Sequence, residues 1–218
     1  MQMSKKNYDF SKPIKEGRTY WILAPLGRFI NFLRFKIRYH GQKNVPQEGG
    51  YIIASNHIHL IDPMIIAMGI GKRQMHFMGK KELWDNPITR WAFTKVNGFP
   101  IARGGADSAA FRHAVDVVKT GHILGIFPEG TRARDGKIGS PKRGVAAIAA
   151  EAKCGVLPVS VYNNEGLKRR SKYTVRYGEF IPYEQLGLSE NATREEQIAC
   201  AAMIMEKITA MWEEGHCE

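Results

Sequence analysis

The sequence predicts a single-domain α/β fold in which helices flank a mixed sheet of about seven strands. The chain has 218 residues, 44% hydrophobic and 24% charged, which is enough to bury one substantial core. Short apolar strands alternate with helical stretches, a pattern typical of α/β sheets. We find no linker, low-complexity tract or internal repeat that divides the chain.

The strand predictions depend on the period of the apolar residues. Phe35, Ile37 and Tyr39 alternate with polar residues, which is typical of a half-exposed strand, whereas the run at 51–54 indicates a more buried one. Further strands are predicted at 74–78, 97–101, 123–127, 155–161 and 173–177.

Helices are predicted between these strands, near 63–69, 87–95, 108–118 and 143–152, and finally from about Arg194 to Trp212. Asn86 and Asp107 are favourable helix starts. Thr193 with Glu196 can form a capping box for the last helix.

Residues 1–34 are predicted to form a polar, loosely ordered tail followed by an amphipathic helix from Arg18 to about Leu33. Pro25 and Gly27 are expected to bend or interrupt this helix. A wide apolar face with basic flanks can lie in a membrane interface; the alternative is a helix that packs on the core. The apolar face comprises Tyr20, Trp21, Ile22, Leu23, Leu26, Phe29, Ile30, Phe32 and Leu33, and the polar stripe comprises Arg28, Asn31 and Arg34.

The formal net charge of +11 favours an anionic partner such as nucleic acid, a phospholipid surface or a phosphorylated substrate. Nucleic-acid binding is the less favoured alternative, because no recognised motif is present and the basic residues are widely spread. Three cysteines without metal-type spacing favour reduced thiols in a cytosolic environment. No apolar run reaches the length needed to cross a bilayer.

The segment 56–63 places His57 five residues before Asp62, directly after a predicted strand. If the chain turns sharply there, the carboxylate can hold one ring nitrogen while the other acts as a base. Alternatively, Asp62 is the N-cap of a helix with Pro63 at its first position. A third reading is a zinc hydrolase, because His57 and His59 could share one face. In the His-x-His-x-Asp-His metal cluster of metallo-hydrolases, however, the aspartate comes one position earlier than Asp62 does here.

Three other segments, at 98–103, 127–132 and 156–161, lie at the ends of predicted strands. Together with 56–63 they resemble, in order and separation, the four sequence blocks of the glycerolipid acyltransferases, especially the 1-acyl-glycerol-3-phosphate acyltransferases. The resemblance extends from about Arg38 to about Tyr183 and implies an acyltransferase domain at 35–218.

The resemblance implies acyl transfer from a thioester, either acyl-CoA or acyl carrier protein, to the sn-2 hydroxyl of lysophosphatidic acid, which gives phosphatidic acid. Another glycerol-phosphate or lysophospholipid acceptor is the alternative. Neither a metal nor a bound organic cofactor is expected. The expected location is peripheral, on the cytoplasmic face of an anionic membrane, with no nucleic acid as partner.

The resemblance also assigns residue roles, with His57 as the general base and Asp62 as the group that orients its ring. Glu129 could hold a glycerol hydroxyl or fix Arg132, and arginine suits phosphate because its planar fork can hold two oxygens. His59 departs from the family, which usually has a small polar residue there. The substrate-binding residues implied are Lys80, Gly98, Arg103, Glu129, Gly130, Thr131 and Arg132.

Two assignments stay open. Lys81, next to Lys80, could replace it as a phosphate contact. Residues 156–161 could form core or the wall of an acyl tunnel, and we expect core.

Overall fold

The computed structural model describes residues 8–15, 17–102, 107–133 and 137–216, except for the side chains of residues 18, 23, 24, 28 and 32. Seven strands form one sheet in the order β1-β7-β6-β2-β5-β3-β4. Neighbouring strands are parallel except for the antiparallel pair β6 and β7, so the predicted mixed sheet is confirmed. The strands are β1 Lys36–His40, β2 Tyr51–Ser55, β3 Met75–Lys80, β4 Gly98–Ile101, β5 Ile123–Ile126, β6 Val156–Tyr162 and β7 Lys172–Tyr177.

Six α-helices are present in the described part of the chain, and the predicted starts are confirmed. The side chain of Asn86 accepts hydrogen bonds from N–H groups in the first turn of α3, and Asp107 accepts one from the first turn of α4. Thr193 forms the capping box with Glu196 at the start of α6. The helices are α1 Arg18–Arg34, α2 Asp62–Gly69, α3 Pro87–Lys95, α4 Ser108–Lys119, α5 Gly144–Ala152 and α6 Arg194–Glu213.

Helices cover both faces of the central strands, which explains their continuous apolar runs. In β2, Ile52 and Ala54 pack in a core cluster with residues of α4, α5 and α6, whereas Tyr51 and Ile53 pack in a second cluster with residues of α2. Strand β6 is likewise buried on both faces. The expectation that 156–161 forms core is confirmed.

Within the predicted polar tail, the described segment 8–15 contributes apolar side chains to the core. Tyr8 and Phe10 pack against the core cluster under α4, and both rings contact His113 edge to face. Ile14 packs there too. The apolar residues among the lysines of this segment are the sequence signal for this contact, because burying aromatic rings contributes a large favourable free energy.

Strands β2 and β5 lie side by side in the middle of the sheet, but their outgoing connections run over opposite faces. β2 leads into α2 on one face and β5 leads through the 127–143 connection into α5 on the other. Where the connections that follow two neighbouring parallel strands leave over opposite faces, a crevice opens at the carboxyl ends of the strands. The segments that follow β2 and β5 carry His57 and Glu129.

Helix α1 exposes most of the described side chains of its apolar face, although Tyr20 is buried. Asn31, predicted for the polar stripe, is 2% exposed and its amide lies 3.7 Å from Met68 Sδ in α2. Pro25 does not interrupt the helix, which is continuous from Arg18 to Arg34. The exposed apolar side chains are Trp21, Ile22, Leu26, Phe29, Ile30 and Leu33.

This arrangement argues against the core-packing alternative for α1, because a core helix would bury the residues that are exposed here. Close approach of α1 to α2 occurs at Gly27, where a Cβ atom would lie 3.2 Å from Met64 Sδ. In the described part of the chain, no helix has both the length and the apolar character to cross a membrane.

We predict that His76 makes the fold sensitive to acid. Its ring in β3 is 5% exposed, and burial, with smaller contributions from His122 and His113, lowers its pKa from 6.5 to about 3. Between these values the unfolded chain binds a proton that the folded chain does not. The free energy of unfolding should therefore fall as pH falls below about 6.5, by up to about 1.4 kcal/mol per pH unit.

Urea unfolding of wild type and His76→Phe at a series of pH values measures this effect. The variant should show a shallower loss of stability from about pH 6.5 downward. His40→Phe, at an exposed position on β1, controls for the loss of one imidazole. Identical pH profiles for wild type and His76→Phe would contradict the prediction.

Candidate active site

The segment after β2 turns sharply and brings His57 and Asp62 together. His57 Nδ1 lies 2.8 Å from Asp62 Oδ2, and the same oxygen accepts the backbone N–H groups of Ile58 at 2.7 Å and His59 at 2.8 Å. The Asp62 side chain is fully buried. Because Oδ2 acts as an acceptor for the N–H groups, His57 Nδ1 is the donor, which in the neutral ring leaves Nε2 as the acceptor.

Asp62 does not cap α2. It is the first residue of the helix, and its carboxylate accepts hydrogen bonds from the preceding turn rather than from the helix. The N-cap alternative is therefore wrong. The predicted turn between His57 and Asp62 is present.

Two buried polar side chains anchor the segment that holds His57. The Asn56 amide pairs with both backbone groups of Val161 in β6, at 2.9 and 2.8 Å. Glu129, after β5, accepts the His57 N–H at 2.8 Å and the Gly139 N–H at 2.9 Å. The side chains thus continue the pairing of β2 with its neighbours beyond the end of the strand.

The contacts that Glu129 makes in this structure are with the backbone, and its expected contact with substrate stays a prediction. Both of its oxygens bind backbone N–H groups, whereas the sequence suggested a glycerol hydroxyl or Arg132 as partner. Burial raises the pKa of Glu129, although the N–H groups of Gly139 and His57 act in the opposite direction. The Phe127 ring stacks on the His57 ring at 4.0 Å and limits its rotation.

His59 forms a hydrogen bond to β7, the strand next to the edge strand β1. Its Nδ1 lies 2.8 Å from the hydroxyl of Tyr173 in β7. Burial lowers the pKa of His59, with the nearby Asp62 acting in the opposite direction. Among the described residues, no group of three or more His, Cys, Asp or Glu converges as metal ligands would.

A cavity of about 460 Å³ opens beside His57 at the carboxyl ends of β3, β4 and β5. Lys80, Gly130 and Arg132, all predicted from the sequence, line it. Gly130 has the positive φ, 69°, that the turn requires of it. Lys80 also forms a 3.2 Å ion pair with Glu82, and Lys81 does not line this cavity.

Lys142 is a cavity residue that the sequence analysis missed. Its Nζ lies 3.0 Å from where a Cβ atom on Gly130 would stand, so its side chain crosses the glycine turn. Its backbone N–H binds the Pro128 carbonyl oxygen at 2.8 Å. The only signal was a lysine shortly before an apolar helix, which is too common to single out.

Two predicted substrate-binding residues lie away from the cavity, and a third is not among the described residues. Gly98 begins β4, at the opposite end of that strand from the cavity. A Cβ atom there would lie 2.9 Å from the Phe93 carbonyl oxygen, so packing accounts for this glycine. Thr131 is exposed and does not line the cavity. Arg103 lies outside the described residues.

A second cavity, of about 270 Å³ and almost entirely apolar, adjoins the first. Leu60, Pro63, Phe77 and Phe93 line both cavities. Residues of α1, α2 and α3 complete its wall, among them Tyr20. His57 therefore lies in a cavity with cationic residues that adjoins an apolar one.

A buried aspartate that fixes a histidine beside a cavity with cationic and apolar parts defines a class of enzyme that activates a hydroxyl group on an amphiphilic substrate. The chain belongs to the acyltransferase family: the family model described as Acyltransferase matches residues 36–162. The resemblance found in the four sequence blocks is thereby confirmed.

Relatives support the same assignment. The chain is 27% identical over 192 residues to the 1-acyl-sn-glycerol-3-phosphate acyltransferase of Bacillus subtilis, covering 87% of this chain and 94% of that protein. It is 31% identical to the enzyme of the same name from Streptococcus pneumoniae, covering 64% and 53%. The crystal structure of the 1-acyl-sn-glycerophosphate acyltransferase of Thermotoga maritima aligns with a TM-score of 0.71 at 26% identity, covering 89% of this chain and 78% of that one.

We predict that Glu129→Gln slows acyl transfer through the position of His57. A glutamine can offer an oxygen to only one of the two N–H groups, so its amide would face the other donor. A small displacement of the base should lower kcat about 10- to 100-fold, with little change in KM. Steady-state kinetics measure this, and Glu206→Gln, at an exposed site on α6, is the matched control.

Two results would count against the positioning role. A higher acceptor KM with unchanged kcat would mean that Glu129 contacts substrate directly. A loss of activity that only follows a loss of folded protein, measured by thermal unfolding, would mean that the residue acts on stability alone.

Proposed function

We propose that this protein transfers an acyl group from a thioester to the sn-2 hydroxyl of 1-acyl-glycerol 3-phosphate, giving phosphatidic acid. The observation that supports this most is the His57–Asp62 pair at the junction of a cationic cavity and an apolar one. Relatives with this activity in their names support the choice of substrate.

In the proposed reaction the acceptor hydroxyl attacks the thioester carbonyl carbon while His57 Nε2 takes its proton. Asp62 holds the ring and stabilises the imidazolium, as the acid of a serine triad does. The resulting tetrahedral adduct then breaks its carbon–sulfur bond, and the proton returns from His57 to the leaving sulfur. A positioned base of this kind contributes about 10²- to 10⁴-fold to the rate.

The acceptor phosphate would bind at the cationic wall formed by Arg132 and Lys142. Among the described residues, no carboxylate forms an ion pair with either side chain. Lys80 would be a third contact, because its exposed ion pair with Glu82 is weak enough to be displaced. The backbone around Gly130 lets the phosphate approach closely.

The apolar cavity suits an acyl chain, because methylene groups gain about 0.8 kcal/mol each when they leave water. Its walls come from Ile61, Met64, Met75 and Val96, among other apolar side chains. A chain bound there would bring its carbonyl end towards His57 through the shared residues Leu60 and Phe77.

The donor is proposed to be acyl-CoA or an acyl carrier protein, and the reaction to use neither a metal nor a bound organic cofactor. The protein is proposed to work on the cytoplasmic face of a membrane, held there by the exposed apolar face of α1 against anionic lipid. The phosphate-bearing acceptor would then be reached within the interface.

The test of the function is thiol release from a long-chain acyl thioester, with and without lysophosphatidate, and identification of the lipid product. Wild type should form phosphatidate only with acceptor present. His57→Ala should lose at least about 10²-fold while remaining folded, because the ring lies at the wall of the cavity and is partly exposed. Exposed His40→Ala is the control.

A folded His57→Ala protein with near-wild-type turnover would overturn the assignment of the base. Failure of wild type to acylate lysophosphatidate with either CoA or carrier-protein thioesters would overturn the proposed acceptor. Glycerol 3-phosphate and other lysophospholipids would then be assayed, and metal analysis would test the hydrolase alternative.

We further predict that Arg132→Lys raises the KM for lysophosphatidate about 10- to 100-fold, because a lysine cannot form the two-pronged contact with phosphate. The thioester KM should change little. Monoacylglycerol, which lacks the phosphate, serves as the comparison acceptor, since its slow transfer should not depend on Arg132. An unchanged lysophosphatidate KM would remove Arg132 from the phosphate site.

A further inference from the structure

The connection between β6 and β7 exposes a cluster of cations that plays no part in the proposed reaction. We call residues 167–172 the cationic loop. Leu167, Lys168, Arg169, Arg170 and Lys172 are all exposed. A run of this density is unusual even in a basic chain, and its position decides what it could do.

The cationic loop lies at the same edge of the sheet as the active site. β7 runs antiparallel to β6, which is parallel to β2, so β7 begins where β2 ends. Tyr173, directly after the loop, makes the hydrogen bond to His59 in the turn from His57 to Asp62, which we call the catalytic turn after its proposed role. The loop therefore flanks the segment that carries the base.

The cationic loop also joins the end of α1. The Arg170 N–H binds the Arg34 carbonyl oxygen at 2.5 Å, and the Lys36 N–H binds the Ser171 carbonyl oxygen at 3.0 Å. Lys36 stands opposite Lys172 in the β1–β7 register. The basic surface of the loop thus continues across the start of β1.

Local carboxylates leave this charge largely uncompensated. Glu165, the one acidic residue between β6 and β7 in the sequence, accepts the backbone N–H of Lys172. Among the described residues, no ion pair involves Lys168, Arg169 or Arg170. An anionic partner would meet these side chains without displacing an existing one.

Apolar side chains accompany the cations. Leu167 is 45% exposed, Leu33 at the end of α1 is 57% exposed, and Leu60 in the catalytic turn is 51% exposed. Cations beside exposed apolar groups fit a phospholipid interface, where charges meet headgroups and apolar side chains reach the acyl boundary. An acidic carrier protein would explain the charges but leaves the exposed leucines without a role.

We propose that the cationic loop is a second membrane contact, which binds anionic phospholipid headgroups and, together with α1, turns the active-site cavities towards the bilayer. The proposal rests on the proposed function, since it assumes a lipid acceptor. Helix α1 alone could rotate about its own axis on the surface; a second contact at its carboxyl end fixes which side of the protein faces the lipid.

The test uses the full chain and vesicles of phosphatidylcholine alone or mixed equally with phosphatidylglycerol. Lys168→Gln/Arg169→Gln should weaken sedimentation with the mixed vesicles about tenfold or more, and should reduce the salt dependence of binding. Lys43→Gln/Lys72→Gln removes the same charge from exposed positions at the opposite edge of the sheet and should bind as wild type does.

Activity separates docking from chemistry. The Lys168→Gln/Arg169→Gln variant should lose transfer to lysophosphatidate embedded in mixed vesicles, but keep wild-type kinetics with a short-chain, monomeric lysophosphatidate. Leu167→Ser should weaken binding to both kinds of vesicle, since its contribution is apolar.

Three results would overturn the proposal. Unchanged vesicle binding by the double variant would do so directly. Equal loss of activity on the monomeric acceptor would place the loop in the substrate site. A raised KM for carrier-protein thioesters alone, with normal vesicle binding, would identify an acidic protein as the partner. Vesicle binding is measured without turnover, so it remains informative even if the proposed acylation fails.

Discussion

The buried carboxylate of Asp62 is the interaction on which the site depends. One oxygen accepts hydrogen bonds from two backbone N–H groups of the catalytic turn and from the His57 ring. These hydrogen bonds offset part of the cost of burying the carboxylate, whose other oxygen, Oδ1, has no hydrogen-bond partner among the described residues. The fold of the turn and the orientation of the imidazole are thus set by the same atom. A change that frees the ring also leaves two N–H groups of the turn without their acceptor.

The sheet divides the support of the site among its central strands. His57 follows β2, and the Asn56 amide beside it hydrogen-bonds to β6. Glu129, in the segment after β5, accepts a hydrogen bond from the His57 backbone N–H. The Ala133 N–H also binds the His57 carbonyl oxygen at 2.8 Å. Because the segments that follow β2 and β5 lead to opposite faces of the sheet, they separate and leave room for a substrate. Hydrogen bonds therefore anchor the catalytic turn beside the open crevice.

The sequence predicts most of the fold, because strand and helix periods, caps and turn glycines are local properties. It also predicts the pairing of His57 with Asp62, which are only five residues apart. It could not predict that Glu129 binds the His57 backbone, since that contact joins residues 72 apart through the register of two strands. Nor could it predict that Asn31 faces inwards, because amphipathicity fixes an apolar face without saying which face meets the protein.

The substrate proposed here is itself amphiphilic, and the surface around the site has the same character. Helix α1 carries exposed apolar residues and also contributes Tyr20 to the wall of the apolar cavity. The cations Arg132 and Lys142 line the other cavity, beyond the residues that both cavities share. A lysolipid entering from a membrane could keep its chain in apolar surroundings throughout, while its phosphate moves from one set of cations to another. Removing the whole chain into water first would cost about 0.8 kcal/mol for every methylene group, so entry from the interface is the lower-energy route.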